Sequence, residues 1–97
     1  MIEVRETTRF AAWFHDLRDL RAQSRINARI RRISLGSFGD VEPIGDGVSE
    51  LRIHHGPGYR VYFVRRRAAI VILLCGGDKG SQRRDIRAAR EMAKELD

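Results

Sequence analysis

The chain carries a single cysteine, Cys75, so no internal disulfide framework can brace it. That thiol and the three histidines, His15, His54 and His55, also lack the spacing of a zinc finger. His54 and His55 are adjacent at what reads as a strand end, so their side chains diverge to opposite faces. With no Cys or carboxylate cluster beside them, no metal site is expected, and no cofactor either. Long apolar runs are absent too. The longest, Ala68–Cys75, has eight residues, far short of the roughly 20 that a membrane-spanning helix needs, and reads as one buried strand. Met1 is followed by charged residues rather than an apolar signal core, so the expected location is the cytoplasm. No linker and no internal repeat divides the sequence, which reads as one domain over residues 1–97.

What is present is charge. Of 97 residues, 33% are charged and 42% hydrophobic, a globular balance. Lys and Arg total 19 against 13 acidic residues, for a net charge of +6. A small domain this basic leans toward a polyanion or an acidic protein partner.

Periodicity gives the organisation. Met1–Arg5 alternates apolar and charged residues and suits a first strand. Thr7 or Thr8 offers a helix cap. Phe10, Trp13, Phe14, Leu17 and Leu20 then fall on one helical face, and Ala22, Ile26, Ile30 and Ile33 continue a stripe to Leu35, where Gly36 stops it. The two stripes bury most easily as a helical hairpin breaking near Leu20–Ser24. Gly36–Gly47, with four glycines and Pro43, reads as a loop. Val48–His54 and Tyr59–Val64 alternate as strands around the turn His55–Gly58, and Ala68–Cys75 completes a three-stranded meander. The glycine-rich loop Gly76–Gly80 leads to Ser81 and a last helix with Ile86, Ala89, Ala93 and Leu96 on one face. The order predicts an α+β fold, an antiparallel sheet with helices packed on it.

Two groups of residues could carry chemistry. Arg21, Arg25, Arg29 and Arg32 recur every three or four residues and form one helical stripe, either a solvated face or a track for RNA phosphate or an acidic partner. On the sheet, Arg52 and His54 share the polar side of one strand, and Arg60 and Tyr62 share a side of its neighbour. If the register permits, all four gather on one face. Guanidiniums bind phosphate oxygens bidentately and an imidazole moves a proton near neutral pH, so the set suits phosphodiester chemistry. The loop Gly76–Ser81 is not a nucleotide P-loop, because the order of its Gly, Lys and Ser is wrong. Its Lys79 adds charge at a helix start. Cys75 and Trp13 read as core.

Three stretches together resemble a known family: Asp40–Ile53, Gly56–Phe63 (Gly-Pro-Gly-Tyr-Arg-Val-Tyr-Phe) and Leu73–Gln82 (Leu-Leu-Cys-Gly-Gly-Asp-Lys-Gly-Ser-Gln). They are similar to the addiction-module killer proteins, HigB-like toxins of the RelE/ParE superfamily, over essentially the whole chain. The resemblance implies a microbial RNase-like fold: two N-terminal helices packed on a twisted antiparallel sheet, closed by a C-terminal helix. It implies a type II toxin that cuts mRNA on the ribosome without metal. The implied partners are the ribosome, mRNA and a helix-turn-helix antitoxin, with operator DNA reached only through that antitoxin. By the same resemblance, Arg60 stabilises the phosphate, Arg52 and Lys79 supply further cationic groups, and His54 is the candidate for proton transfer. Arg83, Arg84, Tyr62 and the stripe Arg21–Arg32 are the candidate RNA- or partner-binding residues. The chain departs from the family in having no His, Tyr, Phe or Trp after Phe63, which leaves the general acid unassigned. A gyrase poison of the ParE type and a non-toxic nucleic-acid-binding module are the alternative functions.

Overall fold

The computed structural model describes residues 1–96. Strand β1 spans Glu3–Glu6, and helix α1 spans Thr8–His15. Thr7 caps α1: its Oγ1 accepts the Phe10 N–H at 3.1 Å and donates to the Leu74 carbonyl at 2.7 Å, so the cap also pins the helix to the sheet. Helix α2 spans Leu20–Ser34. The two stripes do belong to two helices, but the break falls at residues 16–19 rather than within Leu20–Ser24. Asp19 decides it, because its Oδ1 accepts the N–H groups of Arg21 and Ala22 at 3.0 and 3.2 Å. Gln23 then donates to the carbonyls of Phe14 and Leu17, tying the start of α2 to the end of α1.

The remaining elements are β2 (Val41–Gly45), β3 (Val48–Ile53), β4 (Tyr59–Arg66), β5 (Ile70–Gly77), a 3-10 turn over Lys79–Ser81, and α3 (Gln82–Glu95). They form one five-stranded sheet in the order β1-β5-β4-β3-β2. The meander β3-β4-β5 is antiparallel, as the alternation predicts. Two features correct the expectation. The sheet is mixed, because β1 runs parallel to β5. And the segment read as loop over Gly36–Gly47 contains β2, an edge strand antiparallel to β3 with an irregularity between Pro43 and Gly45. Proline has no N–H to donate, and an edge strand tolerates that.

Helices cover both sheet faces. On one, Phe10, Ile26 and Ile33 from α1 and α2 pack on Leu51, Ile53, Val61, Phe63, Val71 and Leu73. On the other, Ala89 and Ala93 of α3 pack on Val48, Tyr62, Val64, Leu74 and Cys75. Four consecutive residues of β4, Val61–Val64, are therefore buried. Each fully buried large apolar side chain contributes about 1.5–3 kcal/mol, so these two layers hold the sheet rigid under the site. No helix among the described residues is long and apolar enough to cross a membrane.

Candidate functional site

The register places β3 and β4 so that Arg52 lies directly opposite Arg60, and Glu50 opposite Tyr62, all on the α3 side of the sheet. Of the four sheet residues expected to gather, Arg52, Arg60 and Tyr62 do. At their centre stands a residue the sequence reading passed over. Glu50 is 2% exposed. Its Oε1 accepts from Arg52 Nε at 3.2 Å. Its Oε2 accepts from the Tyr62 hydroxyl at 3.1 Å and from Gln82 Nε2 at 3.0 Å, and lies 3.4 Å from Arg60 Nε in an ion pair. Glu50 thus fixes both guanidiniums and ties β3 to the first residue of α3. Its only advance signal was its place beside Arg52 on the polar side of β3.

The two arginines are not equivalent. Arg52 also pairs with Glu42 and, at 3.9 Å, with Asp40, so three carboxylates surround it. Arg60 shares one carboxylate with three other donors and gives Nη1 to the Gly58 carbonyl at 2.9 Å. Gly58 has φ of +80°, where side chains strain. A Cβ there would lie 3.5 Å from Arg60 Nη1 and 3.7 Å from Lys79 Cβ. Arg60 and the exposed Lys79 therefore flank the same glycine. The Lys79 N–H reaches the Pro57 carbonyl at 3.4 Å, holding the two loops together.

Tyr62 does not belong to a binding surface. It is fully buried under α3, and burial together with the Glu50 carboxylate pushes its phenol well above the ordinary range. The alternation rule assigned it to a wet face, but α3 covers that face. His54 is also displaced. It lies past the last residue of β3, where strand alternation no longer holds. Its Nε2 sits 2.6 Å from Asp40 Oδ2. It lines a groove of about 300 Å³ with Arg25, Ala28, Arg29, Arg32 and Ile53, on the α2 side rather than beside Arg60. The hydrogen bond to His54, with Arg52 and Arg29 nearby, holds the Asp40 carboxyl below its usual range.

Along α2, Arg21, Arg25 and Arg32 are exposed. Arg29 instead clasps backbone, donating to the Arg52 carbonyl at 2.6 Å and the Phe38 carbonyl at 3.2 Å. Arg83 and Arg84 are exposed at the start of α3. They line a cleft of about 470 Å³ with Lys79, Gln82 and Arg87. Arg87 was missed, although it stands one helical turn from Arg83. A second cleft, about 430 Å³, opens between Arg9 and Trp13 of α1 and Ser81, Arg84 and Asp85. Its glycines allow close approach: a Cβ on Gly76 would meet the Trp13 ring at 2.3 Å, and one on Gly77 would meet Asp85 Oδ2 at 1.8 Å. Trp13 is half-buried rather than core. Burial pushes the Cys75 thiol up to about 11, away from nucleophilic use.

The family model for phage-derived Gp49-like proteins matches residues 12–96. The chain belongs to the Gp49-like family. That family is of the toxin–antitoxin type. The Gp49-like region begins within α1 and runs through α3, so it includes Glu50, Arg52, Arg60 and Lys79. The chain is also 48% identical, over 95 residues, to an uncharacterized protein of Haemophilus influenzae, covering 98% of this chain and 96% of that one.

Proposed function

We propose that this protein is the toxin of a type II toxin–antitoxin pair and inhibits translation by cutting mRNA on the ribosome. The supporting observation is the pairing of Arg60 and Lys79 around Gly58, beside the basic opening lined by Arg83, Arg84 and Arg87. In this reading the ribose 2′-OH gives up its proton to solvent and attacks the adjacent phosphorus, while the bond to the 5′-oxygen breaks and that oxygen takes a proton up from solvent. The products are a cyclic phosphate and a free 5′-OH. The pentavalent intermediate gains negative charge, and fixed cations stabilise that charge most where water is excluded. Arg60, oriented by Glu50, meets the phosphate. Lys79 meets the developing charge on the leaving oxygen. Arg52, surrounded by carboxylates, positions Glu50 rather than RNA, and His54, which lines the groove on the α2 side and contacts Asp40, is not assigned the proton transfer. The partners are then the ribosome, mRNA and a helix-turn-helix antitoxin that carries the pair to operator DNA, and the location is the cytoplasm.

The test is a purified translation reaction with mapping of new 5′ ends. Wild-type protein should cut mRNA only with ribosomes present. Lys79→Ala, an exposed change that leaves the fold intact, should slow cutting by about 10²-fold, the scale of one lost transition-state donor. Intact mRNA in the presence of ribosomes overturns the reading. Two features favour a ParE-type gyrase poison instead: Arg52 is neutralised, and α3 carries no His or Tyr to act as an acid. Inhibition of gyrase supercoiling, with mRNA untouched, would select that alternative.

A further inference from the structure

Helix α2 exposes a continuous stripe that the site on the α3 side does not use. Arg21, Arg25, Ala28, Arg32 and Leu35 recur at spacings of four, three, four and three. This is the spacing of a coiled-coil seam. All five are exposed, Leu35 at 65%. Arg21, Arg25 and Arg32 make no ion pair among the described residues. Four arginines elsewhere, Arg5, Arg52, Arg60 and Arg90, pair with carboxylates, so the stripe shares its lack of ion pairs among the described residues with Arg83 and Arg87 of α3 and differs from them in its apolar members. The stripe is therefore a row of unneutralised cations with two apolar members, Ala28 and Leu35, set among them.

Beside it runs the groove of about 300 Å³ whose floor is Ile53 and whose rim is Arg25, Arg29, Arg32 and His54. A carboxylate of the chain already meets this rim from outside the groove: Asp40 lies 2.6 Å from His54, whose hydrogen bond, with Arg52 and Arg29 nearby, lowers its pKa. The chemistry that fits is acidic groups over small apolar anchors. We infer that the exposed stripe of α2 and its flanking groove dock an acidic amphipathic helix of a partner protein, with apolar residues against Ala28 and Leu35 and carboxylates on Arg21, Arg25 and Arg32.

Two other occupants fit less well. An RNA backbone gains nothing from Ala28, Leu35 and Ile53. The stripe is also separated by the sheet from Lys79 and Arg83, because α2 and α3 cover opposite faces. A second copy of the chain would set arginine against arginine. The inference does not rest on the nuclease reading, and neither cleavage nor toxicity enters its test.

The probes are a synthetic fluorescent helix with Leu at its seam positions and Glu on both flanks, and a labelled single-stranded RNA. Each is titrated against the full chain and against two variants of equal charge change, Arg25→Glu/Arg32→Glu and Arg83→Glu/Arg87→Glu. The peptide should bind wild type. Its affinity should fall about tenfold or more with the α2 pair and stay unchanged with the α3 pair. Leu35→Ser, which alters no charge, should weaken the peptide and leave RNA unaffected. Failure of the peptide to bind wild type overturns the inference, as does equal weakening by both pairs. RNA binding lost only with the α2 pair would assign the stripe to nucleic acid. A salt-resistant dimer broken by the α2 pair would assign it to a second copy.

Discussion

At the scale of single residues, Glu50 decides more than any cation around it. It is a buried carboxylate facing two guanidiniums, a phenol and an amide. Removing it leaves Arg60 buried without a carboxylate, while Arg52 keeps Glu42 and Asp40; a buried charge stripped of its partner costs about 3–5 kcal/mol. Glu50→Ala should therefore lower the unfolding free energy by about that amount in urea titration, and a drop below about 1 kcal/mol would show that water already screens the cluster. Cys75 makes the opposite kind of prediction. Its thiol is buried and its pKa is raised to about 11 by desolvation, so almost no thiolate exists near neutral pH. A disulfide-exchange reagent at about pH 8 should leave the folded protein unlabelled and react at once when denaturant is added. Labelling at equal rates in both states would place the sulfur at the surface.

At the scale of elements, the helix caps show what local sequence can and cannot tell. Asp19 starts α2 and also accepts a hydrogen bond from His55 Nε2 at 3.0 Å, which, with the Ala22 and Arg21 amides, lowers its pKa below the usual 3.8. A carboxyl depressed in the folded state stabilises above its unfolded pKa and loses that stabilisation as pH falls through the folded one. The loss therefore lies in the acid range, below the ordinary carboxylate value. Asp19→Asn keeps a good cap acceptor but removes the titration. Its stability in that range should be flatter with pH than that of wild type, as read by helix circular dichroism, and identical profiles would sink the role of Asp19. The Thr7 cap of α1, the amphipathic faces and the meander were legible because each depends on neighbours within a few residues, whereas the Asp19 cap was not read and the break was placed at Leu20–Ser24. The parallel β1–β5 pairing was not, since Glu3 meets Ile70 across most of the chain. Strand β2 hid behind Pro43 and its glycines, which mark turns everywhere except at a sheet edge. Arg52 and Arg60 could be placed on one face by alternation. The burial of Tyr62 could not be read, because it depends on where α3 lands.

At the scale of the whole molecule, two of the basic surfaces behind the +6 charge lie on opposite faces. One runs along α2, the other at Lys79 and the first turns of α3, with the sheet and its two cores between them. A single RNA strand can lie along the second surface without touching the first. Lys79, Arg83, Arg84 and Arg87 line one cleft there, so about four phosphate contacts are available. Each contact to a single strand releases roughly 0.7 counterion, which sets the slope of log affinity against log salt near about −3. Arg87→Ala should make that slope shallower by roughly 0.7, whereas Arg21→Ala, on the far face, should leave it unchanged. Measuring RNA affinity by anisotropy across a salt series checks both at once. A slope that responds equally to both changes would mean that RNA wraps the sheet edge and that the two surfaces act as one.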